Sequence, residues 1–294
     1  MWFWLSLITL LCWSGSDLFS KIGCRDADDK LSHLKMVIAV GTVMGLHAAF
    51  EIFVSGTPIS WSVIWTYLPV SLLYIGSMAL GYLGLRYIEL SVSSPICNSS
   101  GALVAVLTLL FVGGDDYSPL ALCAILLVCA GAIGLGVVDA TEDPELRAER
   151  QKDGNYKYAK SFLALALPVA YCLLDAAGTF ADNRVLEILT DRFLAAGMAA
   201  TRKECVDLAA ASANCAYELT FLAAAVVCFV YVVLIRKDKL IPRLEGPKYL
   251  GAICETAGQF AYIYAIADTS HLAMSAPIIA SYCAASVLWS RLFL

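Results

Sequence analysis

The chain has 294 residues, 60% of them hydrophobic and only 15% charged, with a formal net charge of −5 and a mean hydropathy of +0.74. A soluble chain carries roughly 25% charged and about 45–50% apolar residues, so a water-soluble globular domain is excluded. No basic patch or nucleotide fingerprint is present, so nucleic acid is not an expected partner.

Nine long apolar runs hold the excess, near residues 1–20, 35–54, 62–84, 92–112, 118–138, 161–181, 216–235, 249–267 and 272–290. A spanning helix needs roughly 20 apolar residues. The runs are continuous rather than alternating, which excludes a β-barrel. They predict an all-α polytopic membrane protein with nine transmembrane helices. The first run lacks the basic n-region of a signal peptide, so it is read as a retained helix.

Ionisable residues at membrane depth are costly, about 2.5–3.5 kcal/mol at a helix centre on insertion scales, and they mark functional sites. In the first run Trp13 and Asp17 share a face one turn apart. Asp17 also lies within a turn of Lys21, so an ion pair at the membrane edge is the alternative. In the second, His47 and Glu51 stand at i and i+4, close enough to bond each other, with Glu51 near the outer end where water is in reach. In the third, Tyr74, Ser77 and Gly81 line one face. Asn98 in the fourth follows Pro95 by three residues, inside a small-residue stretch (Asn98–Gly101) that otherwise reads as packing. Gly131, Gly134 and Gly136 of the fifth suggest close backbone packing.

Asp175 lies some fourteen residues into the sixth run. The hydrophilic stretch from about 182 to 215 reads as a long loop. Within it, Val185–Leu194 carries helical spacing, which predicts an amphipathic helix at the outer interface, with a lid as the sharper alternative. Glu218 then falls in the first turn of the seventh helix, as a partner for its N-terminus. In the eighth, Glu255, Gln259 and Tyr262 line one face at i, i+4 and i+7.

Most of the eleven cysteines sit inside the apolar runs and read as packing residues. Cys205 and Cys215 share the loop and are read as unpaired. No C-x-x-C or Cys/His cluster is present, so neither a metal nor a cofactor is expected. The glycine-rich segments lie inside helices and cannot cradle phosphates, which excludes an ATP-driven pump on this chain.

Sixteen of the twenty basic residues fall on one side of the predicted bundle, around Lys21–Lys35, Arg86, Arg147–Lys160, Arg236–Lys248 and Arg291. Arg184, Arg192, Arg202, Lys203 and the acidic pair Asp115–Asp116 fall on the other. Basic residues collect in cytoplasmic loops, so the N-terminus is placed outside and the 139–160 linker in the cytosol.

The chain also repeats itself. An offset of 182 aligns Gly76 with Gly258, Tyr82 with Tyr264, Ser93 with Ser275, Pro95 with Pro277 and Ile96 with Ile278. An offset of 158 lays Trp13 and Asp17 over Tyr171 and Asp175. Matching helices are five apart, so they cross in opposite directions, as in an inverted repeat about an axis in the membrane plane. The units are 1–138, the 139–160 linker and 161–294. The second holds four helices where the first holds five, so a tenth helix is expected to be missing at the C-terminus.

The doubled motifs resemble those of the drug/metabolite transporter superfamily, in the group with paired EamA-type domains. The residues that carry the resemblance are Trp13–Lys21, Gly81–Arg86, Ser91–Ile96 and the repeat of the last at Ala273–Ile278. The chain departs from the pattern after helix four, where Gly113-Gly-Asp-Asp116 replaces a frequent Glu. The resemblance implies ten helices as two inverted five-helix units. It also implies a secondary transporter of a small metabolite. The chain is expected at the plasma membrane, and the internal repeat argues against an enzyme, which seldom needs two opposed copies of its active-site helices. The expected substrate site lies between the halves and comprises Trp13, Asp17, His47, Glu51, Tyr74, Ser77, Asn98, Asp175, Glu255, Gln259 and Tyr262. Glu255 and Asp175 are the strongest candidates for a cationic group or a coupling proton. The expected partners are a small-molecule substrate, protons and the lipid bilayer, with a homodimer allowed. A membrane-embedded enzyme using His47 with Glu51, and a non-transporting receptor or scaffold, are the alternatives.

Overall fold

The computed structural model describes residues 2–26, 28–111, 119–141, 143, 145, 162–267 and 278–294, and every regular element among them is helical. The outer Asp115–Asp116 pair, most of the 139–160 linker and Pro277 lie outside the described residues.

Helix α1 covers Trp2–Cys24. Helix α2, Ser32–Phe50, runs on through a π-helical turn at Glu51–Ser55 and stops at Gly56, whose φ of 75° a side chain would resist. Ser60 starts α3, Trp61–Gly84, by accepting a hydrogen bond from the Val63 amide. The fourth apolar run divides into α4, Leu90–Asn98, and α5, Ser100–Phe111. At the break the Ser99 hydroxyl bonds back to the Ile96 carbonyl at 2.6 Å. Helix α6 is Pro119–Thr141 and α7 is Phe162–Ala195. Helix α8, Arg202–Phe229, continues as a π-helical stretch over Val230–Ile235. Helices α9, Pro242–Ala267, and α10, Tyr282–Phe293, complete the described chain.

Among the described residues, five helical stretches are long and apolar enough to cross a membrane: Trp2–Cys24, Ser32–Ser55, Trp61–Gly84, Leu165–Ala195 and Arg202–Ile235. Large apolar side chains such as Trp4, Phe53, Trp61 and Leu127 point outward. Water is a poor solvent for such a surface and lipid a good one. The protein is an all-helical membrane protein.

The expected loop over 182–215 is instead a helical hairpin. Helix α7 runs to Ala195, and α8 begins at Arg202 under a capping box made by Thr201 and Glu204. Gly197, at φ 64°, turns the chain between them. The helical spacing of Val185–Leu194 is real, but its apolar face packs on protein. Leu189 and Phe193 are buried in the core beside Cys205 and Ala209 of α8. The charges stay outside, where Arg202 and Asp191 pair at 2.8 Å. Cys205 and Cys215 share one helix, about 15 Å apart along its axis, and both are free thiols.

Three antiparallel pairs form the centre of the bundle: α1 against α9, α3 against α7, and α2 against α8. Glycines set their closeness. A Cβ on Gly41 of α2 would stand 2.5 Å from both the Ala225 methyl and the Phe221 carbonyl oxygen of α8. At one end, buried charges tie α2 and the turn before it to α9. Lys35 Nζ lies 3.1 Å from Asp29 and 3.9 Å from Glu245, while Lys248 lies 3.1 Å from Glu245 and 3.5 Å from Asp29. Lys21 beside them donates to the Leu85 and Ile88 carbonyls at the end of α3.

Candidate functional site

Helix α1 carries the aromatic and acidic pair Trp13 and Asp17. The pair faces α9 and α10, as i, i+4 spacing on one helix face allows. The Asp17 carboxylate accepts hydrogen bonds from Ser94 of α4 at 2.5 Å and Ser286 of α10 at 2.7 Å. Its expected alternative partner, Lys21, is turned away to the α3 carbonyls. The Trp13 ring lies 5.1 Å from Tyr262 of α9 and 5.5 Å from Tyr282 of α10, centroid to centroid. Gly258 permits this: a Cβ there would stand 2.5 Å from the indole.

Glu255 lies beside Ser16 and within electrostatic reach of Asp17 and Asp175. Asp175 of α7 lies beside Ser100 of α5. Glu255 of α9 thus stands within reach of an acid from α1 and one from α7, between the helix pairs, and each acid has a serine beside it. Asp17, Asp175, Glu255, Trp13, Tyr262 and Tyr282 are all only partly buried. Tyr82 of α3 is 7% exposed and within reach of Glu255 and Asp17. Its hydroxyl has no hydrogen-bond partner among the described residues, and neither does the Trp13 indole nitrogen.

The remaining expected residues lie at the edge of this group or away from it. Tyr74 donates to Thr179 at 3.1 Å across α3 and α7, at the edge of the central group. Ser77 is buried and bonds its own helix at the Tyr74 carbonyl, 2.8 Å away, so its hydroxyl is already used. Asn98 reaches the Ala280 carbonyl at 3.5 Å and Gln259 is partly buried on α9.

His47 and Glu51 lie apart from the centre, in the α2–α8 pair. His47 Nδ1 bonds not Glu51 but Glu218, at 2.8 Å, with Glu51 4.0 Å from the other ring nitrogen. Glu51 instead accepts from Thr57 at 3.1 Å. Glu218 stands sixteen residues into α8 rather than in its first turn, because the helix starts at Arg202. It is 1% exposed and also accepts from Asn214 at 3.1 Å.

Sequence reasoning missed Ser16, Ser94, Ser100 and Ser286 as partners of the acids. Serines are frequent in membrane helices and carry no signal alone. Tyr282 was findable: it stands one turn before Ser286, as Trp13 stands one turn before Asp17. Among the described residues, no group of His, Cys, Asp and Glu could hold a metal ion. No family model matches the chain, and no curated protein matches it significantly.

Proposed function

We propose that the chain is a secondary transporter. It moves a small metabolite by alternating access of a central site formed between two inverted halves. The observation that carries this reading is the convergence of Asp17, Asp175 and Glu255 at the meeting of helices from both halves. Acids so placed are expensive in a membrane and recur in substrate and proton pathways.

The packing supports the inverted repeat. Exchanging each helix for its counterpart turns the α1–α9 pair into the α7–α3 pair and leaves α2–α8 unchanged. The aligned aromatics behave alike: Trp13 sits on Gly258 of α9, and Tyr171 sits on Gly81 of α3, where a Cβ would stand 2.8 Å from its ring. Asp17 meets α10, and Asp175 meets α5, its counterpart in the first half. A two-fold axis in the membrane plane gives such a bundle two equivalent arrangements, open to one side or the other. Proton coupling and plasma-membrane residence belong to the same reading.

The test is uptake by the purified chain in liposomes, over a metabolite panel, with and without a proton gradient. Glu255→Gln and Asp175→Asn keep shape and hydrogen bonding but remove charge. Each is expected to lower transport at least about ten-fold and to flatten its response to the gradient. If both variants leave rate and response unchanged, the proton-coupled site fails.

A further inference from the structure

Resting on the transporter reading, we propose that the central site takes a small organic ammonium ion. The first observation is an imbalance of charge. Asp17, Asp175 and Glu255 meet hydroxyls from Ser94 and Ser286, Ser100, and Ser16. No basic side chain among the described residues pairs with any of them. Nearby bases are committed elsewhere: Lys21 to the Leu85 and Ile88 carbonyls, Lys35 and Lys248 to Asp29 and Glu245, His47 to Glu218. A carboxylate held away from water requires a positive partner or a proton. With Glu255 in reach of both Asp17 and Asp175, a positively charged solute relieves the repulsion as well as the burial cost.

The second observation concerns the walls. Trp13, Tyr262 and Tyr282 stand ring to ring at 5.1 and 5.5 Å, beside Asp17. The faces of such rings attract ammonium groups within about 6 Å, and Trp and Tyr are the strongest in this role. A small hydrated metal ion has no use for rings, whereas an alkylammonium uses both rings and carboxylates.

The third observation is independent of the acids. The buried Tyr82 hydroxyl and the Trp13 indole N–H are left without partners. Buried polar groups are nearly always satisfied, so these two are free to bond a solute. The Tyr82 oxygen accepts from an ammonium N–H or turns its dipole to a quaternary centre. The Trp13 N–H donates to a hydroxyl or carbonyl oxygen on the same solute. An anion would face three acids, and a neutral solute would leave their compensation to protons alone.

The experiment uses the full chain purified in detergent at fixed ionic strength and pH 7. Binding is measured for choline and propylammonium as cations, for 3,3-dimethylbutan-1-ol and butan-1-ol as uncharged shapes, and for butyrate as an anion. At least one cation is expected to bind about ten-fold or more tighter than its uncharged counterpart. Asp17→Asn and Tyr262→Leu should each weaken it by about ten-fold, while Tyr262→Phe, which keeps the ring, stays within about three-fold. Gel filtration and circular dichroism establish that each variant is folded. Binding of neither cation by folded protein, binding no tighter than the uncharged shapes, or indifference to both Asp17→Asn and Tyr262→Leu each overturns the proposal. The same solutes are then offered to proteoliposomes. Movement of only butyrate or the alcohols sinks the cation assignment and leaves a transporter. Failure to move any solute, there and across the wider metabolite panel, sinks the transporter reading itself.

Discussion

At the scale of single residues, the His47–Glu218 contact has two partners that tolerate isolation differently. An imidazole left alone near neutral pH is neutral at little cost, because its ordinary pKa is about 6.5. A carboxylate that is 1% exposed, as Glu218 is, loses far more when its partner goes. His47→Leu is therefore expected to destabilise by about 3 kcal/mol, in the range for breaking a buried pair. Glu218→Gln should cost only about 1 kcal/mol, one net hydrogen bond. The double variant His47→Leu/Glu218→Leu should recover most of the larger loss. Thermal unfolding in detergent decides it: a larger loss for Glu218→Gln, or a double variant no more stable than His47→Leu, removes the pair as the cause. The acids of this protein were legible in the sequence because charge in an apolar run is conspicuous. Their partners were not. Whether His47 turns to Glu51 or to Glu218 depends on which helix lies alongside, and i, i+4 spacing within one helix says nothing about that.

At the scale of helices, small residues decide where backbones meet, and the sequence signalled this only in part. Gly131 and Gly134 of α6 suggested close packing, yet a Cβ on either meets nothing within 4 Å among the described residues. Gly41, in no motif, faces the Phe221 carbonyl oxygen of α8 at 2.5 Å from its built Cβ. A backbone oxygen cannot rotate aside, so Gly41→Ala must push α2 away from α8. Overpacking of this kind costs about 1–3 kcal/mol, and the melting temperature of Gly41→Ala should fall accordingly. Gly131→Ala should leave it unchanged or raise it, since alanine favours helix by about 1 kcal/mol over glycine. Equal effects of the two substitutions would disprove the contact. The α7–α8 hairpin was hidden for a related reason. Arg184, Glu187, Asp191, Arg202 and Lys203 make the stretch look like a solvated loop. All five are exposed side chains on helices whose other face is buried, and a count of charges does not see faces.

At the scale of the whole molecule, the antiparallel pairs sort the described turns to two ends. The turns at 25–31, 85–89 and 236–241 share one end, where Lys35 bonds the Lys239 carbonyl and Arg86 the Lys30 carbonyl. Those at 56–60 and 196–201 share the other, where Arg192 of α7 reaches Thr66 of α3 at 2.9 Å. The first end carries Arg25, Lys30, Arg86, Arg236, Lys237 and Lys239 in its turns, and the second carries no basic residue in its own. Positive charge stays on the cytosolic side of a membrane during insertion, which predicts that the first end is inside. A cysteine reports this if it stands on an exposed position at each end. Met198 is 43% exposed in the α7–α8 turn, and Arg236 is exposed just beyond the π-helical end of α8. In intact cells a membrane-impermeant maleimide should label Met198→Cys above the background of the native cysteines. Arg236→Cys should react only after the membrane is permeabilised. The opposite pattern would invert the molecule, and labelling of both in intact cells would mean that α8 does not cross the bilayer.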